Sequence, residues 1–406
     1  MTNPVPATAL LDPVVIEDPY PFYRRLQAEA PVWRVPGTQV VVVSSFALVT
    51  EATARVEDFS SHMKALLFKN DEGLPEQLSF GNMAQQTLAT ADPPDHSLHR
   101  GTVFPELVAK RMLALEPGIS ALAADSVQRA LAEGRTDFMA TVGNLVPITV
   151  VNDLVGFRES DPQDLLKAAF DSTAMLGSVL TSAELDALIG RIEPVHEWIR
   201  QQMEAVRAED SDKVLGTIAT GVEAGTFSEY EATIMLHTLL SAGGETTSSL
   251  LGNAVLMLAE RPELQQQLRQ EPERIMDFIE EVLRLESPFR MMMRSVPRPT
   301  SLGGVELHEG DTLLMLFGAA NRDPTQFARP DEVDLDRGNV RTHLAFGKGI
   351  HYCVGARLAR LEGQIGLAEL LARTSHIELD PDVAPRRARS LLVRRLDRLP
   401  LTLTPA

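Results

Sequence analysis

The chain has 406 residues, 44% of them hydrophobic and 23% charged, a balance that sets aside disordered, collagen-like and coiled-coil chains. A formal charge of −18 with no lysine- and arginine-rich run argues against a nucleic-acid partner, and one cysteine, Cys353, excludes an internal disulfide and cysteine-rich zinc sites. No run of about 18 apolar residues occurs and the start, MTNPVPATALLDP, lacks the pattern of a signal peptide, so the expected protein has no membrane anchor and stays in the cytoplasm.

In chain order, Val32 to Val35 and Gln39 to Val43 are rich in β-branched residues and flank Pro36-Gly37, which predicts a hairpin and a small opening sheet. From Phe104 to Leu285, Ala, Leu, Glu, Gln and Arg dominate, which predicts a stack of helices. The longest candidate runs from Ser228 to Arg261, with Ser228 and Glu231 suited to a capping box and Pro262 marking the far end. Prolines and glycines crowd the stretch from Glu286 to Leu344, so it reads as irregular, with short strands such as Leu313 to Phe317. A helix returns from Cys353 to Arg373, where Leu358, Leu361, Ile365, Ala368 and Leu371 recur at helical spacing. Neither repeats nor a linker appear. The expected architecture is a single domain, residues 1 to 406, mainly α with small β-sheets (α+β).

The chemistry gathers around the cysteine. Phe346-Gly347-Lys348-Gly349-Ile350-His351-Tyr352-Cys353-Val354-Gly355 puts glycines and an aromatic beside it, directly before a helix. At a helix N-terminus a sulfur meets unpaired N–H groups and the positive end of the macrodipole, both of which favour thiolate. Glycines let that backbone lie close under a flat cofactor. Upstream, Glu281-Val282-Leu283-Arg284 places an acid and a base three apart on one helix face, where they can pair. Within the longest helix, Ala242-Gly243-Gly244-Glu245-Thr246-Thr247 sets two helix-weakening glycines before an acid and two hydroxyls. Such glycines could mark no more than a bend. Asp92-Pro93-Pro94-Asp95-His96-Ser97-Leu98-His99-Arg100 places His96 and Arg100 four apart, able to hold one carboxylate from one face.

These segments resemble the cytochrome P450 family, soluble bacterial type. The cysteine segment matches its FGxGxHxCxG signature at each fixed position, and the resemblance runs from Asp18-Pro19-Tyr20-Pro21-Phe22 almost to the C-terminus. It implies a haem-thiolate monooxygenase built on haem b, with Cys353 as the proximal iron ligand, Phe346 packed beside the thiolate and Gly347 and Gly355 shaping the loop. His351, His96, Arg100 and Arg294 are implied as haem-propionate contacts. The Glu281–Arg284 pair is implied to lie buried behind the haem, with a third partner that is usually an arginine after Pro330-Asp331. Glu332 holds that place here, which leaves the partner open, with Arg337 a candidate. Ala242 and Gly243 are implied to lie on a distal helix widened over the haem, and Glu245 and Thr246 to form the acid–alcohol pair that feeds protons to dioxygen reduction.

The resemblance also implies a ferredoxin with its reductase as electron donors, docking near Arg341, Lys348, Arg357 and Arg360, and a hydrophobic substrate. Its pocket would draw on Met63 to Phe68, on Leu239, Phe289, Met292 and Leu392, and on Arg290, which could turn to a propionate or to a substrate carbonyl or carboxylate. The same scaffold could instead couple or cyclise substrate carbons without inserting oxygen, use hydrogen peroxide directly, or bind gas without reacting. The Glu245–Thr246 pair argues against the last two.

Overall fold

The computed structural model describes residues 5–80, 87–103, 105, 109–207 and 213–406. The predicted hairpin is present as strands Val32–Arg34 and Val40–Val43, and it forms one side of a four-stranded sheet. Val40–Val43 runs parallel to Thr312–Met315, which pairs antiparallel with Met292–Ser295. The chain thus brings a strand from its first tenth against two from its last third. All four residues of Val40–Val43 are buried, as a strand covered on both faces requires. The strand expected at Leu313 to Phe317 ends at Met315, and Phe317–Ala320 turns into a short helix.

The helical half is organised around Glu229–Ala259, 31 residues and about 46 Å at 1.5 Å per residue. Its start is the predicted capping box: Glu231 N–H donates to Ser228 Oγ at 3.2 Å while Ser228 N–H donates to Glu231 Oε2 at 2.7 Å. Nearly every residue from Leu240 to Leu258 is buried, so this helix is apolar all round because it has neighbours all round. Helices Leu145–Val155, Pro162–Met175, Ser182–Arg207 and Ala356–Arg373 pack on it. A second sheet, in the order Thr374–Leu379, Pro400–Pro405, Arg135–Asp137, fastens the chain's end to the helical half. Among the described residues no helix is long and apolar enough to cross a membrane.

The glycine pair in the long helix has a packing cause. A Cβ on Gly243 would stand 2.7 Å from Val151 Cγ2, and one on Gly244 2.8 Å from Ile148 Cδ1. The glycines let Leu145–Val155 lie against the long helix. The expected widening is not seen, because the helix is continuous from Glu229 to Ala259.

Candidate active site

The cysteine loop is a tight return. Cys353 N–H donates to the Phe346 carbonyl at 2.9 Å, closing the loop immediately before helix Ala356–Arg373. Gly349 sits at φ +74° with its Cα against the Thr53 carbonyl, which a Cβ would approach to 3.2 Å, so no other residue fits without strain. Cys353 is solvent-accessible, yet burial pushes its thiol up, against the lowering pull of the Gly355 and Ala356 N–H groups, Arg100 and Arg360. The helix start acts on it in the direction read from sequence, but burial outweighs that effect, and the thiolate needs a metal cation beside it.

Above the loop, three segments converge. His96 comes from helix Asp95–Val103, Arg294 from strand Met292–Ser295 and His351 from the loop. The two imidazoles stand 4.3 Å apart, centre to centre. Burial, then Arg294, His96 and Arg100, hold His351 down at about 3. Burial likewise lowers Arg294, to about 10; among the described residues its guanidinium donates to the Met293 carbonyl at 2.8 Å, and Asp92 is the acid that acts on it. Arg100 donates to the Tyr352 carbonyl at 2.9 Å. Ser61, which sequence reasoning missed, shares a hydrogen bond with His351 Nε2 at 2.8 Å. A buried guanidinium short of carboxylates and grouped with two uncharged imidazoles is costly alone and well matched to an anion.

The chain's donors fit a haem on both counts. Among the described residues no three His, Cys, Asp or Glu side chains are grouped to hold a metal ion. Cys353 would hold the iron of a haem through its sulfur, and thiolate ligation would favour cleavage of the O–O bond there. The cationic cluster suits the two propionates on the ring's edge.

The opposite wall is the long helix. Where its residues are otherwise buried, Leu239, Ala242, Gly243 and Thr246 remain partly accessible. Their spacing of three, one and three puts them on one helical stripe. Thr246 Oγ1 donates to the Ala242 carbonyl at 2.5 Å. Glu245, one residue back and so about 100° around the helix, is buried on another face. Its Oε1 accepts from Arg395 Nε at 2.8 Å and its Oε2 from the Thr173 hydroxyl. Burial raises Glu245, opposed chiefly by Arg395. The acid and the alcohol are therefore separately held in this conformation, and Arg395 and Thr173 are partners that no spacing rule revealed.

Behind the loop, Glu281 and Arg284 are fully buried, Arg284 Nε donating to Glu281 Oε1 at 2.7 Å. The open third place belongs to Arg337, whose Nε donates to the same oxygen at 2.9 Å. Arg284 also binds the Pro330 and Glu332 carbonyls, and Asp334 N–H donates to Glu281, so the backbone from 330 to 334 supplies what the usual arginine would.

Strand alternation sorts the methionines. Met292 shares its face with Arg294, while Met291 is wholly buried and Met293 lies on the other face. Phe289 bridges Val393, and the Leu392 carbonyl accepts from Arg290 N–H at 2.8 Å, so 289–290 and 392–393 run side by side. Two expectations need correction. Arg290 is neither a propionate nor a substrate contact: its guanidinium is buried and donates to the Ile16 carbonyl at 3.0 Å and to the Ser390 carbonyl. Arg360 is no free docking charge, for it is paired with Glu280 at 2.7 Å and lies 4.5 Å over the Phe346 ring. His343 joins the same Glu280 at 2.9 Å, which explains why an unremarked acid is held down at about 2 despite its burial.

A single solvent-accessible cysteine at a helix start, with a cluster of two arginines and two imidazoles beside it, fits a haem-thiolate oxygenase. Comparison with known proteins agrees. The family model described as Cytochrome P450 matches residues 186–395. "Cytochrome P450 144" of Mycobacterium tuberculosis is 40% identical over 389 residues, 95% of this chain and 89% of that one. The "Beta-dihydromenaquinone-9 omega-hydroxylase" of Mycobacterium bovis is 33% identical, covering 97% of this chain and 78% of that one. Among solved structures, CYP109E1 from Bacillus megaterium in complex with testosterone superposes with a TM-score of 0.86 at 27% identity, over 96% of this chain and 99% of that one. The chain belongs to the cytochrome P450 family, and it is a haem-dependent monooxygenase of the bacterial type.

Proposed function

We propose that the chain, working as one domain, hydroxylates a largely hydrophobic small molecule of medium to large size, using haem b and electrons from a ferredoxin-type partner with its reductase. The observation that supports this reading is that Leu239, Ala242, Gly243 and Thr246 stay partly exposed on the long helix, while Met292 shares the Arg294 face of its strand and 289–290 run beside 392–393. Leu239, Ala242, Phe289, Met292 and Leu392 are apolar, and methionine adapts to irregular shapes. The substrates named for the relatives, a menaquinone derivative and a steroid, are of the same kind.

When bound, haem supplies the redox centre at which the O–O bond is broken, a step that thiolate ligation favours. Cys353 would provide that thiolate, Phe346, Gly347 and Gly355 the loop under the ring, and His96, Arg100, Arg294 and His351 the propionate contacts. The chain's own residues supply protons. Thr246 commits its hydroxyl hydrogen to Ala242, so its oxygen is left to accept from a donor in the cleft. Glu245 stores a proton out of the substrate's reach and must rotate from Arg395 to pass it on. For electron delivery, exposed Arg341, Lys348 and Arg357 surround exposed Ile350 and Tyr352, a charged rim around an apolar patch that suits an acidic partner.

The test is turnover with ferredoxin, reductase and NADH on a ligand found by spectral titration. Thr246→Ala should lower product per NADH by about tenfold or more, with peroxide making up the difference. Product per NADH unchanged in Thr246→Ala would overturn the reading.

A further inference from the structure

Glu245 is the one acid of the site whose partners were unforeseen, and both lie off its own helix. Thr173 belongs to Pro162–Met175 and Arg395 to the chain's last segment. Arg395 is itself fixed on three sides. Its guanidinium lies 3.7 Å over the Phe170 ring, Nε holds Glu245 at 2.8 Å, and Nη1 holds Asp397 at 2.7 Å. Asp397 is 28% exposed, whereas the Glu245 side chain is 1% exposed. Arg395 therefore spans the gap between a carboxylate that meets water and one that does not. It follows Val393 by two residues, and Val393 is bridged to Phe289.

We propose that Arg395 is a positioning residue for the proton supply: it turns the Glu245 carboxylate away from Thr246, offsets part of the cost of its charged form inside the fold so that it can give up and regain a proton, and ties its placement to the segment that follows Val393. The inference rests on the reading of Glu245 as the proton-storing acid. Guanidinium does not release its proton at any working pH, so Arg395 acts by charge and geometry and carries no proton itself. The charged groups facing Glu245 are Arg395 and, behind it, Asp397; Thr173 adds a hydroxyl, and Leu145–Val155 contributes the apolar Ile148 and Val151 beside the glycine pair. The two charges act on Glu245 with opposite sign. Without Arg395 a buried carboxyl favours its neutral form, and without Asp397 the pull of Arg395 is undiluted.

Opposite signs make the test decisive. In the haem-loaded chain, infrared spectroscopy follows the protonated-carboxyl stretch of Glu245, assigned by its loss in Glu245→Gln, as pH is varied in the resting protein. Arg395→Gln should move its midpoint up by about one pH unit or more, Asp397→Asn should move it down, and Arg395→Lys should restore it most of the way to wild type. The basic limb of product per NADH should move in the same directions. Midpoints that stay put, that move together in both variants, or that Arg395→Lys fails to restore would overturn the proposal. Should Arg395→Gln fail to fold, Asp397→Asn, which changes a half-exposed side chain, decides alone. If Glu245→Gln leaves product per NADH untouched, the relay role falls, while the resting-state titration still judges the placement of Arg395.

Discussion

Gly243→Ala tests whether the glycine pair of the long helix exists for packing or for the haem. Alanine is favoured over glycine inside a helix by about 1 kcal/mol, which on its own would stabilise the variant. Against this, the new Cβ would stand 2.7 Å from Val151 Cγ2 and 3.2 Å from Val151 Cβ, both near the rigid base of a β-branched side chain. Valine has essentially one χ1 well in a helix, so it cannot turn aside, and the helices must part by several tenths of an ångström. Overpacking of that kind costs about 1–3 kcal/mol, so the net effect should be a loss of roughly 1 kcal/mol. Gly244→Ala meets the far end of Ile148 at 2.8 Å, where rotation of Cδ1 relieves the contact, so it should be neutral or slightly stabilising. Urea unfolding of Gly243→Ala, Val151→Ala and the double variant gives the coupling, which should favour the double variant by about 1 kcal/mol. Haem content should recover with it. Strict additivity, or a Gly243→Ala protein more stable than wild type, would refute the packing account and return Gly243 to a role against the cofactor.

Cys353→Ser should retain the fold but lose the red-shifted Soret band of carbon monoxide on ferrous thiolate-ligated haem; persistence of that band would displace Cys353 as ligand. Glu281→Gln keeps shape but leaves Arg284 and Arg337 buried without their shared anion, and should cost about 3–5 kcal/mol by urea unfolding together with haem retention. His237, buried and 3.0 Å from His196, is held down at about 4 by burial first and His196 second. Because its folded value lies below the unfolded one of about 6.5, its contribution is present above pH 6.5 and lost as pH falls toward 4. His237→Gln should flatten that part of the stability–pH curve, and an unaltered curve would show that the pair does not titrate there.

Much of the site was legible because its parts are local. The cysteine loop, the Glu281–Arg284 pair and the capping box at Ser228 each lie within ten residues, where turn chemistry and helical spacing are strong constraints. The alternation that sets Met292 on the face of Arg294 is likewise short-range. What sequence could not show were contacts across the fold. Arg395 meets Glu245 from 150 residues away and Arg360 meets Glu280 from 80, and nothing in the spacing of charges distinguishes these arginines from solvated ones; Arg337, which meets Glu281 from 56, was a candidate only through the family resemblance. Arg290 misled for the same reason: its place four residues before Arg294 left a propionate or a substrate group open, but the side chain turns to backbone carbonyls at Ile16 and Ser390.

The rotation of about 100° between consecutive helix residues has an evolutionary corollary. Glu245 and Thr246 are neighbours in the chain yet stand in separate surroundings, one buried and ionic, the other partly open. Exchanges at 239 or 242 can alter the open face while the ionic cluster, built from residues 173, 395 and 397, keeps its contacts. A helix arranged in this way lets one side vary without disturbing the other.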